Sequence, residues 1–346
     1  MLILGIETSC DDTSAAVVED GLHIRSNVIS SQIKEHSYFG GIVPEIAARK
    51  HVEAVGVIIE KALDEAGVGY ADLDAIGVTA RHGLLRSIVV GAAAAKSLAY
   101  SLDIPLIGVH HIEGHIYSNH LEHGGQLSYP HICLTVSGGH TLLLLVHAIN
   151  QYELIGRTLD DAAGEVFDKI SKYLDLGFPG GPVIDRLAAE GKANAFDFPR
   201  PMLHSDNSDF SFSGLKTAVI KEIEKLRRAD QAIPIADVAA SFQAAAVDVL
   251  VMKTVRATKT HGLSTISVCG GVAANKGLRK AFEARAQAEG ISVFYPRISL
   301  CTDNGAMIAL AGLLRLQAGH APSHDFDVRP RWDLASVGVA EISEYK

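Results

Sequence analysis

Residues 2–18, LILGIETSCDDTSAAVV, and residues 131–146, HICLTVSGGHTLLLLV, are the two stretches that decide the fold. Each stretch places a short polar segment between two apolar runs, and this pattern predicts a strand, a turn and a second strand. The first turn is rich in hydrogen-bond acceptors, whereas the second contains Gly138 and Gly139. Because the same plan occurs twice in one chain, we predict a duplicated lobe built around each hairpin.

The rest of the chain alternates helix and strand patterns, which is typical of α/β architecture. Helices are predicted at 45–66, 88–101, from His111 onward, at 160–174, 235–260 and 303–316, and strands at 105–109 and 264–269. The polar, glycine-containing segment 121–130 is the predicted link between the lobes. We therefore predict an N-terminal lobe at 1–128, a C-terminal lobe at 129–320 and an irregular tail at 321–346.

Composition and charge limit the classes of protein to which the chain can belong. Apolar residues make up 48% of the 346 residues and charged residues 21%, as in a well-packed globular protein. The net charge of −9 is opposite in sign to that of most proteins that bind nucleic acid alone. Any contact with nucleic acid is therefore expected to be local or shared with partner proteins.

The cysteines and the apolar segments indicate in which cellular compartment the protein is expected. The four Cys are scattered and form no CxxC pair, which fits a reducing cytosol. The first residues lack a basic region, so we expect no signal peptide. The longest apolar stretch, 87–109, is interrupted by Lys96 and Asp103, so we expect no membrane span. These features predict a cytoplasmic protein.

The segment HIEGH at 111–115 is a candidate metal-binding motif. On a helix, His111 and His115 lie one turn apart on the same face, and a third, remote ligand would complete a site with an open position. Such a pair also arises by chance in a chain with 16 His, so other evidence must support it. A zinc-peptidase helix needs Glu directly after the first His, but here Ile112 follows it and Glu113 comes one place later, which disfavours a peptidase.

Three glycine pairs, at 138–139, 180–181 and 270–271, follow or precede regular elements. Glycine lets backbone N–H groups approach an anion closely, and a helix N-terminus adds favourable potential. Each pair alone is also typical of an ordinary turn. Together they favour a nucleotide site, although neither GxxxxGK[ST] nor GxGxxG occurs, so a P-loop or a Rossmann site is not supported.

Four acidic residues accompany these turns: Asp11, Asp12, Asp168 and Asp185. Their carboxylates suit contacts to ribose hydroxyls or to a metal-bound water. The first two are equally typical of a hairpin turn, and the last two fit exposed helix positions. The residues alone leave both interpretations open.

The motifs taken in order resemble those of a known family. They are GIETSCD at 5–11, GGIVPE at 40–45 with Arg49 and His51, HHIEGH at 110–115, VSGGHT at 136–141, DDAAGE at 160–165, FDK at 167–169, FPGGP at 178–182, FSFSGLK at 210–216, GGVAAN at 270–275 and CTDNGA at 301–306. From Gly5 to about Leu316, the chain resembles the TsaD family of tRNA N6-adenosine threonylcarbamoyltransferases, within the ASKHA superfamily. So many ordered matches are more specific than any single motif.

The resemblance implies a fold and a set of site residues. The fold is α/β, with two actin-like (ASKHA, RNase-H-like) lobes and a nucleotide and metal cleft between them. The metal ligands implied are His111, His115 and Asp303, which hold one divalent ion, with Fe²⁺ favoured over Zn²⁺. The residues implied to bind the substrate are Thr135, Val136, Ser137, Gly138, Gly139, Asp168, Gly181, Asp185 and Asn275.

The resemblance also implies a reaction and partners. The threonylcarbamoyl group passes from threonylcarbamoyl-AMP to N6 of adenosine 37 in tRNAs that read ANN codons, and AMP is released. Asp11, Asp12 and Glu113 are the candidates for proton handling. Bacterial relatives work with a TsaB-type paralogous subunit and a TsaE-type P-loop ATPase. The alternatives are a sugar-kinase-like ATP-dependent phosphotransferase and a metallopeptidase.

One segment departs from the family pattern. Relatives usually read Ala-Gly-Pro-Gly-Leu before the helix near residue 88, with another Gly two places on. Here residues 80–86 read ARHGLLR, so Arg81 and Arg86 replace glycines and His82 replaces the proline. If those glycines have positive φ, the loop must be rebuilt in this chain.

Overall fold

The computed structural model describes residues 1–320, 322–331 and 334. The strands are β1 (Leu2–Glu7), β2 (Asp12–Glu19), β3 (His23–Ser31), β4 (Ala75–Arg81), β5 (Leu106–His110), β6 (His131–Val136), β7 (Thr141–Ala148), β8 (Gln151–Arg157), β9 (Thr265–Cys269) and β10 (Ser292–Phe294). The helices are α1 (Ile33–Ser37), α2 (Pro44–Ala66), α3 (Leu85–Leu102), α4 (His111–His123), α5 (Ala163–Tyr173), α6 (Gly180–Ala188), α7 (Ser213–Arg228), α8 (Ile235–Thr260), α9 (Lys276–Glu289) and α10 (Gly305–Gln317). The α/β class is confirmed, as are the long helices predicted near 45–66 and 235–260.

The chain forms two compact units. Unit 1 consists of Met1–Leu127, Ala148–Tyr152 and the described part of Pro296–Lys346, and unit 2 of Ser128–His147 and Glu153–Tyr295. Each unit contains a five-stranded sheet, in the order β3-β2-β1-β4-β5 in unit 1 and β10-β9-β6-β7-β8 in unit 2.

The two sheets share one topology, which confirms the predicted duplication. In unit 1, β1 pairs antiparallel with β2 and parallel with β4. In unit 2, β6 pairs antiparallel with β7 and parallel with β9. Both predicted hairpins therefore form the centre of their sheets, and the turn after β1 or β6 lies at the carboxyl edge, where ligands bind in open α/β sheets.

Strand β1 of unit 1 is buried on both faces, because its successive residues point to opposite sides and all but the first are buried. Ile3 belongs to a core cluster that includes Leu310 of α10, whereas Leu4 belongs to a second core cluster that includes Leu63 of α2. Full burial of such a side chain contributes about 1.5–3 kcal/mol to stability. Strands covered on both faces read as continuous apolar runs, which is why the sequence of β1 does not alternate.

Helix α8 is the central helix of unit 2. It is long and apolar enough to cross a membrane by length and composition, but 67% of its most apolar window is buried inside the protein. Side chains on several of its faces are buried, among them Phe242, Leu250 and Thr258. Because a helix that is apolar on all sides must be covered, we interpret α8 as a core helix of unit 2.

The unit boundaries differ from the predicted division at residues 128 and 320. Helix α10 belongs to unit 1, because it covers β1 so closely that a Cβ on Gly5 would lie 2.0 Å from the carbonyl oxygen of Gly305. Residues 148–152 also belong to unit 1, where the Tyr152 hydroxyl donates to Glu113. Local periodicity identifies elements but not the sheet on which each one packs.

The predicted tail at 321–346 is described only in part. Its described residues, 322–331 and 334, contain no helix or strand longer than three residues. They are held to unit 1 by backbone hydrogen bonds, among them Ser323 N to Leu106 O at 3.1 Å and Arg329 N to Ala80 O at 2.9 Å. The other residues of the predicted tail lie outside the described part of the chain.

The unusual loop at 80–86 needs no rebuilding at the two arginines. Arg81 ends β4 and Arg86 lies in α3, so both have regular backbone conformations. The left-handed residues are His82, with φ of 69°, and Gly83, with φ of 147°. A Cβ on Gly83 would lie 2.6 Å from the carbonyl oxygen of Ser9, so glycine is needed here for close approach.

Candidate functional site

The two histidines of the HIEGH segment and Asp303 form a compact cluster in unit 1. Helix α4 begins immediately after β5, and the His110 side chain caps it by accepting a hydrogen bond from Ile112 N at 3.2 Å. Nε2 of His111 lies 3.6 Å and Nε2 of His115 lies 3.2 Å from Oδ1 of Asp303. One ligand atom from each of the three residues lies within 4.8 Å of the others. The structure therefore brings together the three predicted ligands.

The environment of His115 fits a bound cation. The residue is 1% exposed, and neither ring nitrogen makes a hydrogen bond to the described residues, although Nε2 lies beside Asp303. A buried polar atom without a hydrogen bond is costly, and a metal ion satisfies it. Two imidazoles and one carboxylate are a donor set that suits Fe²⁺ or Zn²⁺. By this test the residues fit the divalent metal that the family implies.

Asp303 is positioned by the start of α10. Asn304 caps this helix, since its Oδ1 accepts a hydrogen bond from Met307 N at 3.0 Å. The next residue, Gly305, donates its N–H to the Ser14 hydroxyl at 2.8 Å, and a Cβ there would lie 2.6 Å from the backbone nitrogen of Ala16. Close packing of α10 against β2 thus fixes the residue that precedes the cap.

A buried carboxylate lies on the other side of His111. Oε2 of Glu7 is 3.1 Å from Nδ1 of His111, and Glu7 is fully buried. The Thr79 hydroxyl donates to the same oxygen at 2.6 Å, and the backbone N–H of Ser9 donates to Oε1. Sequence reasoning missed Glu7, and the available signal was an acidic residue at the end of a buried strand.

Charges in this cluster shift the pKa values of its members. Burial alone would lower the pKa of His111, but the carboxylates of Asp303 and Glu7 raise it to about 9. Burial, followed by the charge of Asp303, raises the pKa of Asp12 to about 7 and also raises the pKa of Asp11. The negative charge of Asp303 therefore disfavours ionisation of Asp11 and Asp12, and a bound cation would offset the negative charge of these carboxylates.

Glu113 occupies a different position from the one predicted for a proton-handling group. It lies two residues after His111 on α4, and therefore on the opposite side of the helix. Its Oε2 accepts a 2.6 Å hydrogen bond from Nε of the buried Arg315, and its Oε1 accepts one from the Tyr152 hydroxyl at 3.1 Å. The structure does not bring Glu113 to the metal ligands, and its ion pair has a structural role.

The glycine turns of unit 2 meet at the carboxyl ends of β6 and β9. A Cβ on Gly270 would lie 2.5 Å from the carbonyl oxygen of Val136, and a Cβ on Gly164 would lie 2.5 Å from that of Ser137. By contrast, a Cβ on Gly138 or Gly139 would meet no described atom within 4 Å. The turn therefore packs tightly on one side and leaves its two glycines open to a ligand.

The predicted adenylate residues of β6 itself are buried. Thr135 and Val136 are both 0% exposed, and the Thr135 hydroxyl lies 3.3 Å from Sγ of Cys269. Ser137 closes the turn, because its N–H donates to His140 O at 2.8 Å and its hydroxyl accepts from His140 N at 3.2 Å. The side chains of Thr135 and Val136 are therefore part of the packed interior next to the turn.

Three other predicted residues, Asp168, Asp185 and Asn275, accept hydrogen bonds from backbone N–H groups at the starts of helices. Oδ1 of Asp168 accepts from Gly180 N at 2.7 Å, and the Asp185 carboxylate accepts from Lys276 N at 3.1 Å and Gly277 N at 3.2 Å. Asn275 caps α9 through Leu278 N at 2.7 Å. A Cβ on Gly181 would meet no described atom within 4 Å. Asp168 of α5 thus joins the start of α6, and Asp185 of α6 joins the start of α9.

Comparison with known proteins identifies relatives along nearly the whole chain. The family model described as TsaD, tRNA N6-adenosine threonylcarbamoyltransferase, matches residues 23–310. A protein of that name from Syntrophotalea carbinolica is 52% identical to this chain over 338 residues, covering 98% of both chains. Another from Ralstonia pickettii is 49% identical, covering 98% of this chain and 99% of the relative.

Solved structures show the same fold at much lower identity. HypF of T. kodakarensis is similar with a TM-score of 0.61 and 16% identity, covering 92% of this chain and 48% of that one. Component A of the Acidaminococcus fermentans (R)-2-hydroxyglutaryl-CoA dehydratase is similar with a TM-score of 0.54 and 14% identity, covering 92% and 99%. These similarities concern the fold alone, and together with the two similar sheets they confirm the predicted α/β class with two lobes.

Proposed function

The chain belongs to the TsaD family of tRNA N6-adenosine threonylcarbamoyltransferases, and we propose that it transfers the threonylcarbamoyl group from threonylcarbamoyl-AMP to N6 of adenosine 37 in tRNAs that read ANN codons. The observation that carries the proposal is the convergence of His111 and His115 Nε2 on Asp303. Neither the phosphotransferase nor the metallopeptidase alternative is favoured by the relatives or by the placement of Glu113.

The metal ligands in this proposal are His111, His115 and Asp303, and the ion is Fe²⁺ in preference to Zn²⁺. When bound, the metal supplies Lewis-acid polarisation of the carbamoyl oxygen or of the adjacent phosphate. The protein keeps His111 and His115 buried and oriented, which excludes water from the ligands. Because an exocyclic adenine amine is a poor nucleophile, positioning and activation of the electrophile carry most of the rate.

The backbone of the Ser137–Gly139 turn binds the phosphate of the adenylate. Support comes from its two open glycines, since a ligand can approach their N–H groups without meeting a side chain. Asp168, Gly181, Asp185 and Asn275 line the adenosine side of the site. In the reaction, the N6–carbon bond forms, the bond from the carbamoyl carbon to the phosphate oxygen breaks, and AMP leaves with that bonding pair.

The amine of adenosine must lose a proton as the new bond forms. Asp12 is our candidate acceptor: burial and the charge of Asp303 raise the pKa of its carboxyl in the metal-free protein, and a bound cation would offset the effect of Asp303 and favour the ionised form, which accepts a proton. Its Oδ1 is buried and makes no hydrogen bond to the described residues, so this oxygen is free to accept one. Asp11 is the second candidate, and Glu113 is committed to Arg315.

We propose that the protein works in the cytoplasm, with tRNA and with TsaB-type and TsaE-type partners. The net charge of −9 supports shared rather than independent binding of tRNA, since a phosphate backbone repels an acidic protein.

Mass spectrometry of tRNA nucleosides tests the proposed function. Purified protein, the two partners, threonylcarbamoyl-AMP and an ANN-reading tRNA transcript should yield N6-threonylcarbamoyladenosine. A transcript carrying guanosine at position 37 is the matched control and should yield none. Absence of the product from the complete system, or casein cleavage that disappears in His115→Ala, would contradict the proposal.

A further inference from the structure

Glu7 is a fully buried carboxylate for which the proposed reaction has no use. It ends β1, the central strand of the unit 1 sheet. Burial of an ionised carboxylate is costly unless hydrogen bonds and an opposite charge compensate for it. The groups that compensate Glu7 are the Thr79 hydroxyl, the Ser9 backbone N–H and the imidazole of His111. Two of these three come from the sheet and its turn, and the third is a proposed metal ligand.

The two nitrogens of His111 face different partners. Nδ1 lies 3.1 Å from Oε2 of Glu7, whereas Nε2 lies 3.6 Å from Oδ1 of Asp303. A neutral imidazole carries one N–H, and only its other nitrogen can bind a metal. Because a carboxylate accepts hydrogen bonds and cannot donate them, Glu7 favours the form in which Nδ1 carries the proton. Nε2 then presents its lone pair on the side of Asp303.

We infer that Glu7 is a positioning residue for the metal site, which holds His111 in the tautomer and orientation that binds metal through Nε2. The inference rests on the proposed metal ligands. Carboxylate partners of this kind orient metal-binding histidines, and their loss typically costs about 10–100-fold in metal affinity. Glu7 therefore acts through His111 and makes no contact with the substrate.

The carboxylate of Glu7 is held by the fold and does not depend on the metal for its position. Thr79 lies on β4, which pairs in parallel with β1, and its hydroxyl donates to Oε2 at 2.6 Å. Oε1 accepts the backbone N–H of Ser9. Both oxygens thus have fixed donors, so the acceptor that faces Nδ1 of His111 is in place before a metal binds.

Ser9 offers a competing partner for the same nitrogen. Its hydroxyl lies 3.0 Å from Nδ1 of His111 and can either donate or accept. If this hydroxyl donated to Nδ1, the proton would lie on Nε2, and that nitrogen could not bind a metal. The two partners therefore predict different outcomes, since removal of Glu7's charge should weaken metal binding and removal of the Ser9 hydroxyl should not.

Titration of the metal-free protein with Co²⁺ tests the inference, because the visible spectrum of Co²⁺ reports its coordination. Glu7→Gln should lower Co²⁺ affinity by about 10–100-fold and change the spectrum of the bound ion. The reason is that both Glu7 oxygens accept hydrogen bonds, so a carboxamide must turn its NH₂ toward at least one donor. Glu113→Gln is the matched control, since it neutralises another fully buried carboxylate of unit 1 and should leave Co²⁺ affinity unchanged.

Further variants keep the outcome interpretable. If Glu7→Gln fails to fold, Thr79→Val replaces it, and a smaller loss of Co²⁺ affinity is expected because one anchor of the carboxylate is removed. Unchanged affinity and spectrum in folded Glu7→Gln, or an equal loss in Ser9→Ala, would overturn the role of Glu7. His111→Ala should abolish Co²⁺ binding. Retention of binding there would instead refute the proposed metal site, so the two failures are distinguishable.

Discussion

The metal cluster of unit 1 and the glycine turns of unit 2 use opposite means to present binding groups. In unit 1, charged and polar side chains from β1, α4 and the residue before the cap of α10 converge, and Glu7, His111 and His115 are buried whereas Asp303 is partly exposed. In unit 2, Gly138 and Gly139 carry no side chain, and space for a ligand lies beside the backbone. In unit 1 the binding groups are side chains, whereas in unit 2 the backbone can bind a ligand because Gly138 and Gly139 have no Cβ.

This difference has energetic consequences. Removal of one side chain from the metal cluster leaves other buried charges without compensation, so large effects on both metal and pKa values are expected. A change in an open turn affects the ligand and leaves the fold intact. The two units share one topology, but the proposed metal site of unit 1 depends on charged side chains, whereas the glycine turn of unit 2 depends on open space beside the backbone.

The largest expected effect is at the proposed metal ligands. His115→Ala should lose the metal and reduce tRNA modification by roughly 10³-fold, because Lewis-acid assistance is worth several kcal/mol and each ~1.4 kcal/mol is a factor of ten. Elemental analysis and a single-turnover assay measure the two quantities. His120→Ala, on the same helix and outside the cluster, is the control and should retain the metal. Metal content unchanged in His115→Ala would mean that the ligands are assigned incorrectly.

The second effect is a dependence of metal affinity on pH. The pKa of His111 is raised to about 9, so this residue is protonated at neutral pH, and the protonated ring cannot bind a metal. Metal binding must then release one proton below pH 9, and affinity should rise about tenfold per pH unit up to that value. Zn²⁺ titrations between pH 6 and 9 in several buffers measure the slope and the proton release. Affinity that does not change with pH would show that His111 is neutral before binding.

A third effect separates the two kinds of glycine in unit 2. Gly139→Val should weaken AMP binding by more than about tenfold with little change in melting temperature, since its Cβ meets only a ligand. Gly164→Ala should instead lower the melting temperature, because its Cβ would lie 2.5 Å from the carbonyl oxygen of Ser137. Calorimetric titration and thermal unfolding together distinguish them. Equal AMP affinity in Gly139→Val and the parent would indicate that the turn is only structural.

The smallest effect is expected at Asn275. Its side chain caps α9 and donates to Gln243 Oε1 at 2.8 Å, so Asn275→Ala should cost about 1–2 kcal/mol of stability. AMP affinity should fall only two- to tenfold, the value of roughly one hydrogen bond. Asn275→Asp keeps the cap and loses the hydrogen bond to Gln243, so it separates the two contributions to stability. A larger loss of affinity than in Gly139→Val would move the main adenylate contact from the turn to α9.

The sequence predicts the proposed metal ligands better than it predicts Glu7, which contacts one of them. His111 and His115 lie one turn apart on one helix, so their spacing makes them candidate ligands of one metal ion, and the family resemblance supplies the further support that such a pair needs. Glu7 is separated from His111 by 104 residues, and its local signal, an acidic residue at the end of a buried strand, does not identify its partner. The contact depends on which strand lies beside α4, and sheet order cannot be read from periodicity.

Similar reasons explain why the structure differs from the sequence-based prediction at α10, Glu113 and Asn275. Helix α10 was predicted correctly as an element but assigned to the other lobe, because its packing on β1 depends on the absent side chain of Gly5. Glu113 lies in the metal motif by position and faces Arg315 in space. Asn275 follows a glycine turn, as a ligand-binding residue would, and its oxygen caps a helix. Motifs report proximity along the chain, whereas function depends on the direction of each side chain.

The central claim is that metal and adenylate depend on different groups of the protein, and one crossed measurement tests it most directly. Metal content and AMP affinity should be measured on His111→Ala and Gly139→Val, with the parent protein and melting temperatures as references. We predict that His111→Ala loses the metal and still binds AMP, and that Gly139→Val keeps the metal and loses most of its affinity for AMP. If either folded variant loses both ligands, or if AMP binds Gly139→Val as tightly as the parent, the account is contradicted.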